Sequence, residues 1–426
     1  MKIINSLLLI VLVSFFATAS PTDEGPIKVE VKKENGKWQI YRGGEPYYIK
    51  GAGGHVRMDI VEKIGGNSVR TWSADGAKEI LDEAHSRGLT VTMGLWAGHE
   101  RHGMDYNSQW AVDGQFEKFK EYVIQLKDHP ALLMWGIGNE VDLFYTNHRV
   151  WDAIQDIAKM VHEIDPNHPT STITAGFDIA EAQMIMERAP DIDVYGVNTY
   201  GDIGNVSRAI RQSGWDGPYM ITEWGPTGHW EIAKTTWGVP IEQSSAEKAD
   251  VYQQRYEEHI LADDEMCVGS YVFVWGQKQE TTATWYGMFL ESGEKTEVID
   301  VMEYVWSGKW PENRTPRLKS LKVDGKGKYD NVELSPGKEY EAIIDVKDAD
   351  GDPLEYRWEF VPESTDIKAG GDKEAKPEPV QGLIKTESEN KITFKAPRLK
   401  GAYRLFVYVL DGQDHSAYAN LPFYVK

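Results

Sequence analysis

Two glutamates at the ends of short apolar runs are the side chains in this sequence best suited to chemistry. Glu140 ends the run WGIGNE, and Glu223 lies in the run MITEWGP. A short continuous apolar run is typical of a buried parallel strand, which can carry a terminal carboxylate to the rim of a barrel. Two carboxylates that face one bond can act as acid and nucleophile, and glycoside hydrolysis is the best-known reaction of this kind.

The elements that must position these glutamates alternate between strand and helix patterns. Helical spacing of apolar residues appears, for example, at 115–127 and 150–164. Eight apolar strand patterns lie at 46–54, 67–72, 89–96, 131–140, 170–177, 193–200, 218–224 and 268–275. Strands and helices in this order predict a (β/α)8 TIM barrel over residues 27–310. A doubly wound open sheet is the alternative, but the glycines at 51–54 lack the spacing of its phosphate-binding turn.

The pattern changes after the barrel. Residues 311–317 form a short proline-bearing linker, and residues 318–426 show short alternating strands without a long helix. This pattern predicts a C-terminal immunoglobulin-like β-sandwich. The polar tract 364–379 is expected to be a mobile loop. Three aspartates at 348, 350 and 352 predict an Asp-rich turn, with calcium binding as the alternative.

The N-terminus and the composition restrict the location and the partners of the protein. Residues 1–19 join Lys2, an apolar core at Leu7–Phe16 and the small residues before a cleavage site, which is typical of a signal peptide. We therefore expect a secreted or periplasmic protein. The net charge of −21 argues against nucleic acid and anionic membranes as partners. The single cysteine, Cys267, excludes an internal disulfide.

The runs WGIGNE, GVNTY and ITEWG together resemble the barrel domain of glycoside hydrolase family 2 and its relatives in clan A. The resemblance covers residues 27–310 and implies a retaining β-glycosidase on a (β/α)8 barrel. Large members of that family carry sandwich domains before the barrel, whereas this chain has its predicted sandwich after it. The resemblance therefore holds at the level of the clan, and secreted barrel-plus-sandwich β-glucanases share this layout.

The resemblance also implies roles for individual residues. Glu140 would be the acid/base and Glu223 the nucleophile, with carboxyl groups about 5–5.5 Å apart. Asn139 would bond the 2-hydroxyl of the sugar, Arg70 would keep the nucleophile ionised, and Tyr200 would lie beside it. These five residues form the core of the predicted site.

Aromatic residues near the predicted strand ends would complete a groove on which sugars stack. The resemblance implies that Trp275 is the floor under the reacting sugar. Trp96 and Trp224 stand at strand ends, and His99 lies in the loop after the third strand, so we expect them to line the cleft. His99 and His102 lack the spacing that places two histidines on one helical face, so neither a metal nor a cofactor is predicted.

Three functions are compatible with these residues. The first is a secreted retaining glycoside hydrolase that cleaves β-linked glycans, and a neutral β-glucan is the expected substrate. The second is a transglycosylase that uses the same site, and the third is a non-catalytic glycan-binding protein. We expect a β-linked oligo- or polysaccharide as the partner, a monomeric protein, and a C-terminal domain that takes no part in the chemistry.

Overall fold

Residues 25–426 are described by a computed structural model of the chain. The predicted signal peptide lies outside these residues and stays a prediction. The described chain begins with a small antiparallel sheet of β1 (Val29–Glu34), β2 (Lys37–Arg42) and β3 (Glu45–Tyr47). Its first turn is Asn35-Gly36, and both residues have positive φ, as a tight two-residue hairpin requires.

Eight parallel strands form a closed barrel, which confirms the predicted TIM barrel. Consecutive strands are neighbours around the ring, and the last strand pairs with the first. The strands are β4 (Ile49–Gly53), β5 (Ser68–Arg70), β6 (Thr90–Leu95), β7 (Leu132–Ile137), β8 (Thr170–Ala175), β9 (Val194–Asn198), β10 (Tyr219–Trp224) and β11 (Cys267–Val272). Seven of the eight predicted apolar runs contain one of these strands, and the eighth, 268–275, contains all of β11 except Cys267.

One helix follows each barrel strand and packs its apolar face against the sheet. The helices are α1 (Met58–Lys63), α2 (Ala77–Ser86), α3 (Gln109–Leu126), α4 (Arg149–Ile164), α5 (Ile179–Arg188), α6 (Ile203–Ser213), α7 (Ser245–Arg255) and α8 (Glu297–Ser307). A capping box starts α7, in which the Ser244 hydroxyl accepts the Glu247 N–H and the Glu247 carboxylate accepts the Ser244 N–H. Among residues 25–426, no helix is long and apolar enough to cross a membrane.

The N-terminal sheet covers the end of the barrel where the strands begin. Val29 and Ile40 pack with residues near the starts of barrel strands, such as Ile49 and Val194. A backbone hydrogen bond from Trp38 to the carbonyl of Glu265 ties the sheet to the segment before β11. Because this end is covered, the opposite end, where the strands finish, is the one available for a site.

Two four-stranded sheets follow the barrel and share one hydrophobic core. Their strands are β12 (Arg317–Val323), β13 (Val332–Leu334), β14 (Glu339–Lys347), β15 (Glu355–Pro362), β16 (Ile384–Ser388), β17 (Lys391–Lys395), β18 (Gly401–Leu410) and β19 (Ser416–Val425). The first sheet has the order β12-β14-β17-β16, and the second has the order β13-β19-β18-β15. In the turn after β14, the Asp348 carboxylate accepts the N–H groups of Asp350, Gly351 and Asp352.

The barrel and the two sheets meet through a buried polar contact. The ammonium of Lys248 on α7 lies 2.6 Å from Glu242 and donates to the hydroxyl of Tyr418 on β19 at 3.1 Å. Asn420 donates to the second oxygen of Glu242 at 2.6 Å. Lys248 and Glu242 are 2% and 1% exposed, so each depends on the other and on β19 to satisfy its charge.

Candidate active site

Glu223 lies on β10 with its side chain directed into the mouth of the barrel, where it is buried. One carboxylate oxygen accepts from Arg70 Nη1 at 3.2 Å and from the indole of Trp72 at 2.7 Å. The other oxygen accepts from the hydroxyl of Tyr200 at 3.1 Å. Three donors from the ends of β5 and β9 thus fix the orientation of this carboxylate.

Glu140 follows β7, where the backbone turns sharply. Gly138 and Glu140 both have positive φ, 74° and 50°, so the chain leaves the strand at this point. The N–H of Glu140 bonds the carbonyl of Ile173 on β8, which anchors the turn to the neighbouring strand. The side chain of Glu140 accepts from the amide of Asn198 at 2.8 Å, so it too is directed into the mouth of the barrel.

A shared set of hydrogen bonds connects the two glutamates. The side-chain oxygen of Asn139 accepts from Arg70 at 2.6 Å and from Asn198 at 3.1 Å. Arg70 also bonds Glu223, and Asn198 also bonds Glu140. Arg70 is 1% exposed, so a buried cation lies between the two acidic side chains.

The surroundings of Glu140 favour its protonated form near neutral pH. Burial and the negative charge of Glu223 raise the pKa of Glu140 to about 7, against the opposing effects of Asn198 and Arg70. A carboxyl group with this pKa can give a proton and take it back near pH 7. Glu223, by contrast, accepts hydrogen bonds from three donors, which suits a carboxylate.

His99 supports the site from behind. Its Nε2 lies 2.6 Å from the carbonyl oxygen of Asn139 and donates to it, because a carbonyl can only accept. Burial lowers the pKa of His99, so the ring is neutral at pH 7. We predicted that His99 lines the cleft, but it is only 1% exposed and does not line an open surface. It positions the backbone beside Glu140 instead.

Two of the predicted cleft tryptophans lie elsewhere. Trp224 is fully buried against Tyr252 and Tyr256, on the side of the sheet that faces the helices. This follows from the geometry of a strand, because the adjacent Glu223 points inward. Trp275 is 1% exposed and packs on Trp306 of α8, so its ring cannot stack on a sugar.

Phe273 occupies the place predicted for Trp275. Its ring contacts Trp72 and Tyr200 edge to face, with centroids 5.9 Å and 6.0 Å apart, and both of these residues bond Glu223. The regular pairing of β11 ends at Val272, after which the chain turns. The alternation that would place Trp275 on the inner face therefore does not continue to that residue.

A groove of about 330 Å³ opens between Trp72, Trp96 and two residues of α3, Phe119 and Tyr122. Trp96 is 41% exposed, so it presents a free aromatic surface at the rim of the barrel, and its role in binding sugar stays a prediction. Its ring also lies against His99, with centroids 4.8 Å apart. Exposed indoles of this kind suit the CH-rich faces of sugars.

Two residues of the site were not selected from the sequence. Asn198 stands two residues before Tyr200 in GVNTY, so the period of a strand could have identified it as inward-facing. Phe273 could not be distinguished from Trp275, because the end of β11 is not marked by a breaker residue.

Comparison with known families agrees with this geometry. The sequence model described as "Glycosyl hydrolases family 2, TIM barrel domain" matches residues 59–272, which make up half of the chain and include both glutamates. The chain belongs to glycosyl hydrolase family 2. The resemblance inferred from WGIGNE, GVNTY and ITEWG is therefore confirmed.

The curated relatives of this family 2 chain are distant. It is similar to a β-glucuronidase of Streptococcus agalactiae, with 22% identity over 276 residues, which cover 53% of this chain and 43% of the relative. A β-glucuronidase of Felis catus is 24% identical over 183 residues, or 38% of this chain and 26% of that protein. The chain thus spans less than half the length of these relatives.

Solved structures share the fold of the family 2 chain. The β-glucuronidase of Bifidobacterium dentium, complexed with coumarin-3-O-glucuronide, matches with a TM-score of 0.52 and 19% identity, over 66% of this chain and 49% of that one. The β-galacturonidase of Eisenbergiella tayi, bound to galacturonate, matches with a TM-score of 0.51 and 16% identity, over 67% and 54%. At these identities the match shows the fold alone.

Proposed function

We propose that the chain is a retaining β-glycosidase in which Glu223 is the nucleophile and Glu140 the acid/base. The observation that carries the proposal is that the two carboxyl groups have different surroundings. Glu223 accepts hydrogen bonds from Arg70, Trp72 and Tyr200, whereas burial and the charge of Glu223 raise the pKa of Glu140 to about 7. Two neighbouring carboxyl groups whose environments differ in this way suit an acid and a nucleophile.

The first half of the reaction would form a glycosyl-enzyme. A carboxylate oxygen of Glu223 attacks the anomeric carbon, and the bond to the leaving oxygen breaks. Glu140 gives its proton to that oxygen, so the leaving group departs neutral. Glu223 loses its charge when it forms the ester. Because that charge is, after burial, the largest cause that raises the pKa of Glu140, the pKa then falls and Glu140 can act as a base.

The second half would return the enzyme to its starting state. Glu140 takes a proton from water, the water oxygen attacks the anomeric carbon, and the ester bond to Glu223 breaks. The sugar leaves with its original configuration after two inversions. A sugar hydroxyl can replace water in this step, so transglycosylation remains the alternative outcome, and product analysis at high and low substrate concentration separates the two.

A neutral β-linked glycan remains the substrate we propose. The basic side chains nearest the aromatic floor already have acidic partners: Lys278 lies 2.7 Å from Glu280, and His229 lies 3.5 Å from the same carboxylate. The net charge of −21 also disfavours a polyanionic chain. Exposed Trp96 and Trp230 offer surfaces that bind uncharged sugar faces.

A β-linked uronide is the second candidate. Relatives and fold neighbours are described as acting on or binding glucuronides and a galacturonate. In this chain the ammonium of Lys278 lies 5.6 Å from the centre of the Phe273 ring, within reach of a charged group on a sugar bound there. This position favours a uronide as the second candidate, because the carboxylate of the sugar could take the place of Glu280 as the partner of Lys278.

A matched pair of aryl glycosides tests both candidates. The p-nitrophenyl β-glucoside and β-glucuronide differ only at carbon 6, so the ratio of their kcat/KM values reports the preference for charge. We expect the glucoside to be the better substrate, and a preference for the glucuronide that Lys278→Met abolishes would establish the second candidate. If Glu223→Ala retained the wild-type rate on every substrate, the proposed active site would be wrong.

For the C-terminal residues we propose an immunoglobulin-like β-sandwich, separated from the barrel at residues 311–317. The strand order supports this. If β12 and β14–β19 are labelled A to G in chain order, one sheet has the order A-B-E-D and the other contains G-F-C, as in an immunoglobulin domain. β13 adds a short parallel strand beside β19. Expression of residues 318–426 alone, followed by circular dichroism, tests whether this unit folds independently.

A further inference from the structure

The loop between β15 and β16 reaches the mouth of the barrel. Residues 369–374 of this loop, which we name the strap, were expected to belong to a mobile surface tract. Instead Arg101, in the loop after β6, donates to the carbonyls of Ala369 and Gly370 at 3.0 Å and 3.3 Å. Glu374 at the end of the strap is 4% exposed and accepts the N–H of Thr281 at 2.6 Å.

The strap touches barrel loops that belong to opposite sides of the ring. A Cβ built on Gly370 would lie 2.6 Å from Leu143, which follows β7, and one built on Gly371 would lie 2.6 Å from Lys278, which follows β11. β7 and β11 are four positions apart in the eight-stranded barrel. Two adjacent glycines that meet both loops must therefore stand where these loops converge, at the mouth of the barrel.

A short series of contacts joins the strap to the acid/base. Asp372 pairs with His102 at 3.1 Å and with Arg101 at 3.4 Å. The ring of His102 lies against that of His99, with centroids 5.1 Å apart, and His99 bonds the carbonyl of Asn139. The strap is thus placed on the side of the site where Glu140 stands.

We infer that the strap is a wall of the substrate cleft, and that the C-terminal domain thereby contacts the leaving-group sugar of a β-linked glycan. The inference rests on the proposed function, because Glu140 marks the leaving-group side only if it is the acid/base. The Asp372 carboxylate, with 37% of its side chain exposed, supplies an acceptor for sugar hydroxyls, and Arg101, with 11% exposed, holds the strap in place. The strap is therefore a specificity determinant supplied by a separate domain.

Two glycines of the same loop provide a matched pair of variants. Gly370 and Gly382 both have positive φ, 63° and 74°, so valine strains the backbone similarly at either position. A Cβ at Gly370 would collide with Arg101 and Leu143, whereas a Cβ at Gly382 would meet nothing within 4 Å. Gly370→Val therefore pushes the strap from the rim, and Gly382→Val controls for strain alone.

The experiment compares two substrates with the same reacting sugar in the full chain. One is a p-nitrophenyl β-glycoside, and the other is the β-linked disaccharide or trisaccharide, so only the leaving group differs. The measured quantity is the ratio of kcat/KM for the oligosaccharide to kcat/KM for the aryl glycoside. We expect Gly370→Val to lower this ratio about tenfold, equivalent to about 1.4 kcal/mol of transition-state binding, and Gly382→Val to keep the wild-type ratio.

Asp372→Asn provides a second variant that keeps the backbone unchanged. It removes the charge that pairs with Arg101 and His102 at an exposed position, so it tests the wall even if Gly370→Val fails to fold. We expect its ratio to fall as well. A wild-type ratio, or a raised one, in a folded Gly370→Val or Asp372→Asn protein overturns the inference. A wild-type enzyme that cleaves neither substrate class contradicts the proposed function instead, so the two failures are distinguishable.

Discussion

The indole N–H of Trp72 donates to the same oxygen of Glu223 that Arg70 holds, at a distance of 2.7 Å. Trp72→Phe keeps an aromatic ring at this position but removes the hydrogen bond. Because a bond to a charged acceptor contributes about 1.5–3 kcal/mol, kcat/KM should fall about 10- to 150-fold if the bond is formed in the transition state.

Trp224→Phe is the matched control for that change. Trp224 stands next to Glu223 on the same strand, but its ring faces the helices and its N–H has no hydrogen-bond partner. We expect kcat/KM to remain near the wild-type value. Equal losses in the two variants would show that packing, rather than the bond to Glu223, explains the effect of Trp72.

The pH dependence of kcat/KM should reflect the titration of Glu140. The acid must be protonated in the free enzyme, and its pKa is about 7, so kcat/KM should decline as pH rises through about 7. The hydrogen bond from Asn198 lowers this pKa. Asn198→Ala should therefore move the alkaline limb to higher pH, and a shift to lower pH would contradict the assignment of the limb to Glu140.

Azide should distinguish the two glutamates. Glu223→Ala removes the nucleophile, so azide can attack the sugar directly, and the product should have inverted configuration. Glu140→Ala should keep turnover of aryl glycosides with good leaving groups, and azide should then give a product of retained configuration. Both products can be assigned by NMR. Inverted product from the wild-type enzyme would exclude the retaining mechanism.

The aromatic floor can be located by one pair of substitutions. Phe273→Ala should lower kcat/KM, because the Phe273 ring packs on Trp72 and Tyr200 beside Glu223. Trp275→Phe should lower the melting temperature but leave kcat/KM near the wild-type value, since the Trp275 ring is buried against Trp306. Steady-state kinetics with a thermal melt separates the two effects, and the reverse pattern would restore Trp275 as the floor.

Stability should depend on the contact between the barrel and the C-terminal domain. Lys248→Met leaves the carboxylate of Glu242 buried without its cation, which costs about 3–5 kcal/mol in the free energy of unfolding. Lys234→Met is the control, because Lys234 is exposed. Urea unfolding of both variants measures the difference, and equal stabilities would mean that the buried Lys248–Glu242 pair does not stabilise the protein.

The barrel was predictable because its strands are buried on both faces. Continuous apolar runs such as WGIGNE indicate a strand even when the neighbouring strands are unknown, and a glycine or proline flanks most of them. Helices α5 and α6 were not predicted, although their apolar positions recur at helical spacing. The five residues that the resemblance placed at the centre of the site lie together in the structure, since each stands at or just after the end of a barrel strand.

The rest of the site depends on where side chains point and on distant contacts. Trp224 was misplaced because its neighbour Glu223 was not used to fix the inner face of the strand. Trp275 was misplaced because the irregular end of β11 cannot be read from an apolar run. The strap lies more than 200 residues after Arg101 in the chain, so no local pattern connects them.

A cleft divided between two domains, as proposed here, bears on how such an enzyme can evolve. Glu140, Glu223, Arg70 and Phe273 all belong to the barrel, whereas residues 369–374 belong to a loop between two strands of the sheets that follow it. Recombination of genes could therefore exchange the second unit and replace one boundary of the cleft in a single event. The new enzyme would keep its bond-breaking chemistry and acquire a different range of acceptable leaving groups.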